Sequence, residues 1–352
     1  MKVDAKLQLP SGDRLVDVGQ RAAELEAAGF DGIWTSEAAH DAFLPVALAA
    51  AATGSADLGT GIAVAFARTP MTVAYLANDL QLLSSGRFVL GLGSQVKAHV
   101  ERRFAMPWGS PAARMRDFVR ALRAIWSSWE TGERLDQRGE FYSHTLMTPY
   151  FSPGPNAFGA PPVHVAAVGE RMTEVAGEVA DGLLLHAFTT RRYLTERTLP
   201  ALARGAAAAN RSRDDLELSY PCLIATGSNE LELSTAVSAV REQIAFYAST
   251  PAYAAVLELH GWGALGTELT ALSVSGRPDR WREMGNLVDD AVLDAFAIVA
   301  EPQDVAAAVR ARFDGLVDRI SFYAPYGTDP AIWHGPLEQL RRSPSAVVGS
   351  GA

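Results

Sequence analysis

The chain has 352 residues, 48% of them hydrophobic, with a net charge of -9 and one cysteine. That is enough apolar material for a large core. Cys222 alone excludes an internal disulfide framework or a paired-cysteine zinc site, and the acidic balance argues against a general nucleic-acid or anionic-membrane surface.

No apolar run is long enough to span a bilayer, and the start, Met1 to Lys6, lacks the apolar core of a signal peptide, so a cytoplasmic location is expected. Lysine occurs only at positions 2, 6 and 97. A Schiff-base aldolase would have to use Lys6 or Lys97, and that chemistry is disfavoured.

Strand-like runs bounded by turn residues alternate with helix-period segments along the chain. Strands are expected at about Ala5–Leu9, Gly32–Thr35, Leu58–Ala65, Phe88–Leu92, Val163–Ala167, Gly182–His186, Leu216–Ala225 and Arg319–Tyr323. Helices are expected over Asp13–Ala28 before Gly29, from Thr69-Pro70 to about Ser84, and over Arg171–Ala180, each closing in a glycine turn ahead of a strand. Repeated βα units of this number predict a (β/α)8 TIM barrel. It is expected to be a single domain over residues 1–340, with insertions at the C-terminal face at about 97–116, 131–162 and 251–301, followed by a disordered tail over 341–352.

In such a barrel the chemistry sits at the C-terminal ends of the strands. The second strand runs out as Trp34-Thr35-Ser36-Glu37-Ala38-Ala39-His40-Asp41. Glu37 and His40 can supply a proton donor, an acceptor and a partner that orients the imidazole; equally, Glu37 can pair with an arginine and His40 cap a helix. The third strand, Leu58-Gly59-Thr60-Gly61-Ile62-Ala63-Val64, has glycines that permit a ligand's close approach or a tight barrel corner. Arg68 can meet an anion or pair with Glu37. Gly91-Leu92-Gly93 follows a strand, but Val96 stands where a dinucleotide fingerprint needs its third glycine. Gly93, Ser94 and Gln95 read better as uncharged groups at a cofactor's edge.

A basic loop with Lys97, Arg102, Arg103, Arg114 and Arg116 follows, suited to a ligand's negative charge or to solvent or a subunit contact. After the fifth strand, Ala166-Ala167-Val168-Gly169-Glu170 leads into a helix N-terminus, a phosphate-binding arrangement in which Glu170 is the departure from a neutral turn. His186 follows the sixth strand. The remaining histidines show no metal-like pairing, and neither a nucleophile elbow nor a Walker loop is present.

These strand-end residues resemble the luciferase-like flavin and deazaflavin oxidoreductases, in particular the branch that uses coenzyme F420. The resemblance runs from Val3 to about Tyr326. It rests on the Trp34 to Asp41 segment, Leu58-Gly59-Thr60-Gly61-Ile62, Phe88-Val89-Leu90-Gly91-Leu92-Gly93 and Ala166-Ala167-Val168-Gly169. It implies a bacterial luciferase-like barrel, F420 as cofactor with FMN as the alternative, and hydride transfer to or from a small organic substrate. His40 and Glu37 would face the reactive carbon and handle the proton. Gly61, Ile62, Ala63 and Val64 would back the ring, with a non-prolyl cis peptide at Gly61-Ile62. Ser94 and Gln95 would meet the ring or ribityl chain; Ala167, Val168, Gly169 and Glu170 would hold the phosphate, and His186 would face the mouth. It also implies a homodimer. An FMN-dependent monooxygenase on the same fold and a cofactor-binding protein without turnover are the rival readings.

Overall fold

The computed structural model describes residues 1–342 apart from 8, 10, 11 and 13. Eight parallel strands close on themselves: β1 (Lys2–Lys6), β2 (Gly32–Thr35), β3 (Asp57–Thr60), β4 (Phe88–Gly93), β5 (Val163–Ala167), β6 (Gly182–Leu185), β7 (Glu217–Ala225) and β8 (Arg319–Tyr323). Each pairs with the next, and β8 returns to β1 with Lys2 opposite Arg319. The outer ring is α1 (Val18–Ala28), α2 (Phe43–Ala52), α3 (Pro70–Leu83), α4 (Pro111–Thr131), α5 (Glu170–Val179), α6 (Leu199–Ala208), α7 (Glu230–Ala248), α8 (Val305–Phe313) and α9 (His334–Arg341). Among the described residues no helix is long and apolar enough to cross a membrane.

All eight expected strands are present, with two shifts of register. The first begins at Lys2 rather than Ala5, because the barrel interior accepts the charged Asp4. The third breaks after Thr60 at a cis Gly61-Ile62 peptide and resumes as Ala63–Val64, which pairs with Leu92 and Gly93 of β4. Helix ends follow local chemistry. Gly29 terminates α1 at φ 98°, a left-handed conformation that glycine takes without steric cost. Thr69 caps α3 by accepting from the Thr72 N–H. The third expected glycine stop is different: α5 ends at extended Ala180, not at a glycine turn. Asp13, the expected start of the first helix, and the expected tail beyond Arg342 lie outside the described residues.

The base of the barrel is polar. Arg319, 1% exposed, bonds both oxygens of the fully buried Asp4 at 2.7 and 2.8 Å, and reaches Asp57 at 2.7 Å and Glu217 at 3.4 Å. The Trp34 indole N–H donates to the same Asp4 carboxylate at 2.9 Å, so the ion cluster fixes the ring. Two glycines make the space. A Cβ at Gly32 would collide with Arg319 and Asp4, and one at Gly59 with the Trp34 ring. Gly59 thus serves packing inside the barrel, whereas Gly61 lies on the cavity wall, where a ligand's approach stays open.

Between α7 and α8 the chain inserts four short helices (Ala254–Leu259, Gly263–Ser273, Arg280–Asn286 and Asp290–Phe296) and a strand, Ala297–Val299, which pairs with the last three residues of β7. This body has its own apolar cluster, including Val240, Ile244, Val256, Leu257, Met284 and Phe296, distinct from the main core.

Removing one partner of a buried ion pair leaves the other charged in a low-dielectric interior. Arg319→Met is expected to cost about 3–5 kcal/mol in urea unfolding, and adding Asp4→Asn to that variant to return part of the loss.

Candidate active site

One cavity of about 910 Å³ opens at the C-terminal ends of the strands. Its floor is apolar: Trp34, Leu184, Ile62 and Ala166 pack as one small cluster inside the barrel mouth. Trp34 is held from below by Asp4 and lies against His164, ring centroids 6.1 Å apart. Ile62 follows the cis peptide and rests on β4, where a Cβ at Gly93 would come within 2.8 Å of its Cδ1.

Along one side run Ser94, Gln95, Ala167, Val168 and Gly169. Gln95 stands at φ 59°, and its amide oxygen accepts from the Val96 N–H at 3.0 Å, leaving the NH₂ group for a ligand. Gly169 occupies the N-cap of α5, where no side chain caps the helix and a Cβ would meet nothing within 4 Å. The first-turn N–H groups of α5 are therefore available at the cavity edge, the arrangement that binds anions. Glu170 is turned away from them: its carboxylate pairs with Arg204 at 3.0 Å and Arg197 at 3.7 Å.

The opposite wall carries Lys6 from the end of β1, His186 after β6, Tyr323 from β8, and Tyr247 and Tyr253 from α7 and the segment beyond it. The Phe188 N–H donates to His186 Nδ1 at 3.0 Å, which places the proton of the neutral ring on Nε2, 3.3 Å from the Tyr253 hydroxyl. Burial first, and the Lys6 charge second, push His186 down to about 4, so the ring is neutral near pH 7. Tyr247 and Tyr323 share a hydroxyl–hydroxyl hydrogen bond of 2.9 Å, and burial raises the pKa of both phenols. Lys6 lines the cavity with its side chain exposed to the solvent there, and the surrounding wall lowers its pKa by desolvation.

The expected site residues therefore fall into two groups. Gly61, Ile62, Ser94, Gln95, Ala167, Val168, Gly169 and His186 come together on the cavity wall. Glu37, His40, Ala63, Val64 and Glu170 are absent from its described lining. Ala63 and Val64 are buried in the short pairing with β4. The Glu37 carboxylate accepts from the Val64 N–H and from Arg68, both at 2.7 Å, and Arg68 also holds Asp41 at 2.6 Å. Glu37 thus clamps the loop that presents Ile62, and Arg68 takes the structural alternative. His40 sits half-buried between β2 and α2.

Of the basic loop only Lys97 reaches the lining; Arg114 binds Tyr142 and the Pro107 carbonyl, and Arg116 binds Glu178. From the long insertion Pro251, Ala252 and Tyr253 line the cavity. Trp262 stacks on His260 and Trp281 packs against Phe246. Lys6, Trp34, Tyr247, Tyr253 and Tyr323 line the wall but were not among the expected site residues. For Lys6 and Tyr323, position at a strand's C-terminal end was the available signal.

Residues 2–319 match the family model described as luciferase-like monooxygenase. The chain belongs to this luciferase-like family. It is accordingly an oxidoreductase of the luciferase-like class. An uncharacterised protein of Mycobacterium tuberculosis is 53% identical over 308 residues, covering 88% of this chain and 90% of that one. The 5,10-methylenetetrahydromethanopterin reductase of Methanolobus tindarius is 27% identical over 328 residues, 91% and 94% of the two chains. Among solved structures, the coenzyme F420 dependent tetrahydromethanopterin reductase of Methanopyrus kandleri superposes with a TM-score of 0.75 at 20% identity, covering 96% of each chain. The luciferase-like barrel expected from the strand-end motifs is thus the observed fold.

The histidine beneath the floor sets an acid limit. His164 is 2% exposed, its Nδ1 has no hydrogen-bond partner among the described residues, and burial followed by the Arg319 charge pushes it down from 6.5 to about 4. Between those values the unfolded chain binds a proton that the folded chain refuses, so stability falls as pH drops through that window. The loss from His164 is expected to approach about 3 kcal/mol. Urea titrations at about pH 7 and about pH 4.5 read it, with His164→Gln losing less than the parent over the same interval.

Proposed function

We propose that the chain is an F420-dependent oxidoreductase that moves a hydride between the deazaflavin and a small organic substrate. The observation that carries this reading is the division of the cavity: an apolar floor of Trp34, Ile62, Ala166 and Leu184, uncharged Ser94 and Gln95 along one edge, and an uncapped helix N-terminus at Gly169. A flat ring with a polar edge and a phosphate-bearing tail fits that sequence of surfaces. The F420 dependence of the Methanopyrus reductase, whose fold this chain shares, supports the choice of cofactor.

When bound, the deazaflavin supplies the carbon that gives or takes the hydride. The chain's own residues do the rest. Trp34 and Ile62 keep water from the ring face, and the Glu37–Arg68 pair fixes the loop that carries Ile62. Ser94 and the Gln95 amide orient the polar edge, and the first-turn N–H groups of α5 hold the phosphate against a helix dipole. His186 stays neutral and keeps its proton on Nε2, directed at Tyr253, so the Tyr253 phenol keeps its own hydrogen free for a substrate oxygen. A homodimer belongs to the same reading, and sedimentation equilibrium at twice the chain mass checks it.

Fluorescence titration with F420 and, separately, with oxidised and reduced FMN tests the assignment. Saturable F420 binding with weaker FMN binding is the expected result; a preference for reduced FMN moves the assignment to the monooxygenase chemistry named in the family description. Gly169→Asp sharpens the test. At a backbone φ of -83° with open space around the Cβ, the aspartate caps α5 and leaves stability unchanged or raised by a few tenths of a kcal/mol. It also places a negative charge where the phosphate binds, and F420 affinity is expected to fall by about tenfold or more.

A further inference from the structure

The described cavity lining contains no aspartate or glutamate. It does contain Lys6, which has no hydrogen-bond or ion-pair partner among the described residues; its Nζ lies over the Tyr323 ring, 5.9 Å from the centroid. Hydrogens are also left over on the phenols. In the Tyr247–Tyr323 pair one hydroxyl donates to the other, so the accepting phenol keeps its own hydrogen. Tyr253 accepts from His186 Nε2 and likewise keeps its hydrogen. The wall thus offers an ammonium and two phenolic donors with no protein anion to receive them. Lys6 is exposed to the cavity's solvent, so water meets these donors when no ligand is bound, and a ligand anion that replaces that water gains charge-assisted hydrogen bonds.

We propose that this wall, formed by Lys6, Tyr323, Tyr247 and Tyr253, receives a carboxylate carried by the substrate. Lys6 supplies the countercharge and the two spare phenol hydrogens supply the hydrogen bonds. The two oxygens of a carboxylate match that charge and that number of donors, whereas a neutral alcohol or ketone leaves the ammonium unpaired. The floor and the α5 N-terminus remain on the other side for the cofactor, so the substrate's acid group lies across the cavity from the phosphate. This assignment rests on reading the cavity as the hydride-transfer site, and it names the class of substrate: small organic acids.

Calorimetric titration of the full chain with benzoate and with benzamide, alike in shape and different in charge, tests it, with and without F420. Benzoate is expected to bind at least about tenfold more tightly than benzamide. Lys6→Met is expected to erase that preference while leaving benzamide binding and the circular dichroism spectrum unchanged. Lys6→Arg retains the preference, and Tyr253→Phe and Tyr323→Phe each weaken benzoate by about three- to tenfold. Equal binding of the two probes, binding of neither, or a preference that survives Lys6→Met overturns the proposal. So does a Lys6→Met variant that loses F420 affinity in place of benzoate affinity, since Lys6 then serves the cofactor. Failure of the parent chain to bind F420, with the Lys6-dependent benzoate preference intact, sinks the cofactor reading alone and leaves the carboxylate subsite standing.

Discussion

The aromatic floor at the mouth of this barrel depends on the ion pair at its base. Arg319 and Asp4 come from the last and first barrel strands, 315 residues apart in sequence, and their double hydrogen bond spans the seam where those strands pair. The same carboxylate holds the Trp34 indole, and that ring is the cavity floor. Charge buried at the bottom is thereby converted into a fixed apolar surface at the top. The space needed for this is supplied by Gly32 and Gly59, neither of which touches the cavity.

A second ionic device performs a similar task from the side. Glu37, Arg68 and Asp41 hold the turn after the cis Gly61-Ile62 peptide, so that Ile62 presents its side chain beside Trp34. Both devices put their charged atoms behind the wall and an apolar group in front of it. The cavity consequently separates into an apolar floor, an uncharged edge ending at a helix N-terminus, and a wall of hydrogen-bond donors, each contributed by different strands.

The barrel was legible in the sequence because its strands are short apolar runs buried on both faces, and because Gly29 and Thr69 are local signals for a helix stop and start. Part of the cavity lining was legible as motifs: Ile62, Ser94, Gln95 and Gly169 all reach its wall. The donor wall was not. Asp4 and Lys6 look like surface residues in a one-dimensional pattern; only closure of the barrel against Arg319 and Tyr323 turns them inward. Tyr247 and Tyr253 lie in helical and turn segments whose pattern carries no chemistry, and their place depends on how the insertion folds back. Glu37 shows the reverse limit. A carboxylate just past a barrel strand has the position of a catalytic group or of an arginine's partner, and the sequence left both open; the structure shows the bonds to Arg68 and the Val64 N–H.

The pairing of β7 has a further meaning. Its first residues join β6, its middle joins β8, and its last residues join Ala297–Val299, so one strand belongs in turn to the barrel and to the inserted body. One tyrosine of the donor wall, Tyr253, stands on that body, and Tyr247 of the barrel helix α7 packs against its apolar core. Sequence drift within it can therefore move or replace the Tyr253 hydroxyl without disturbing the ion cluster or the floor. Descendants of one barrel can acquire different appetites while the machinery beneath them stays the same.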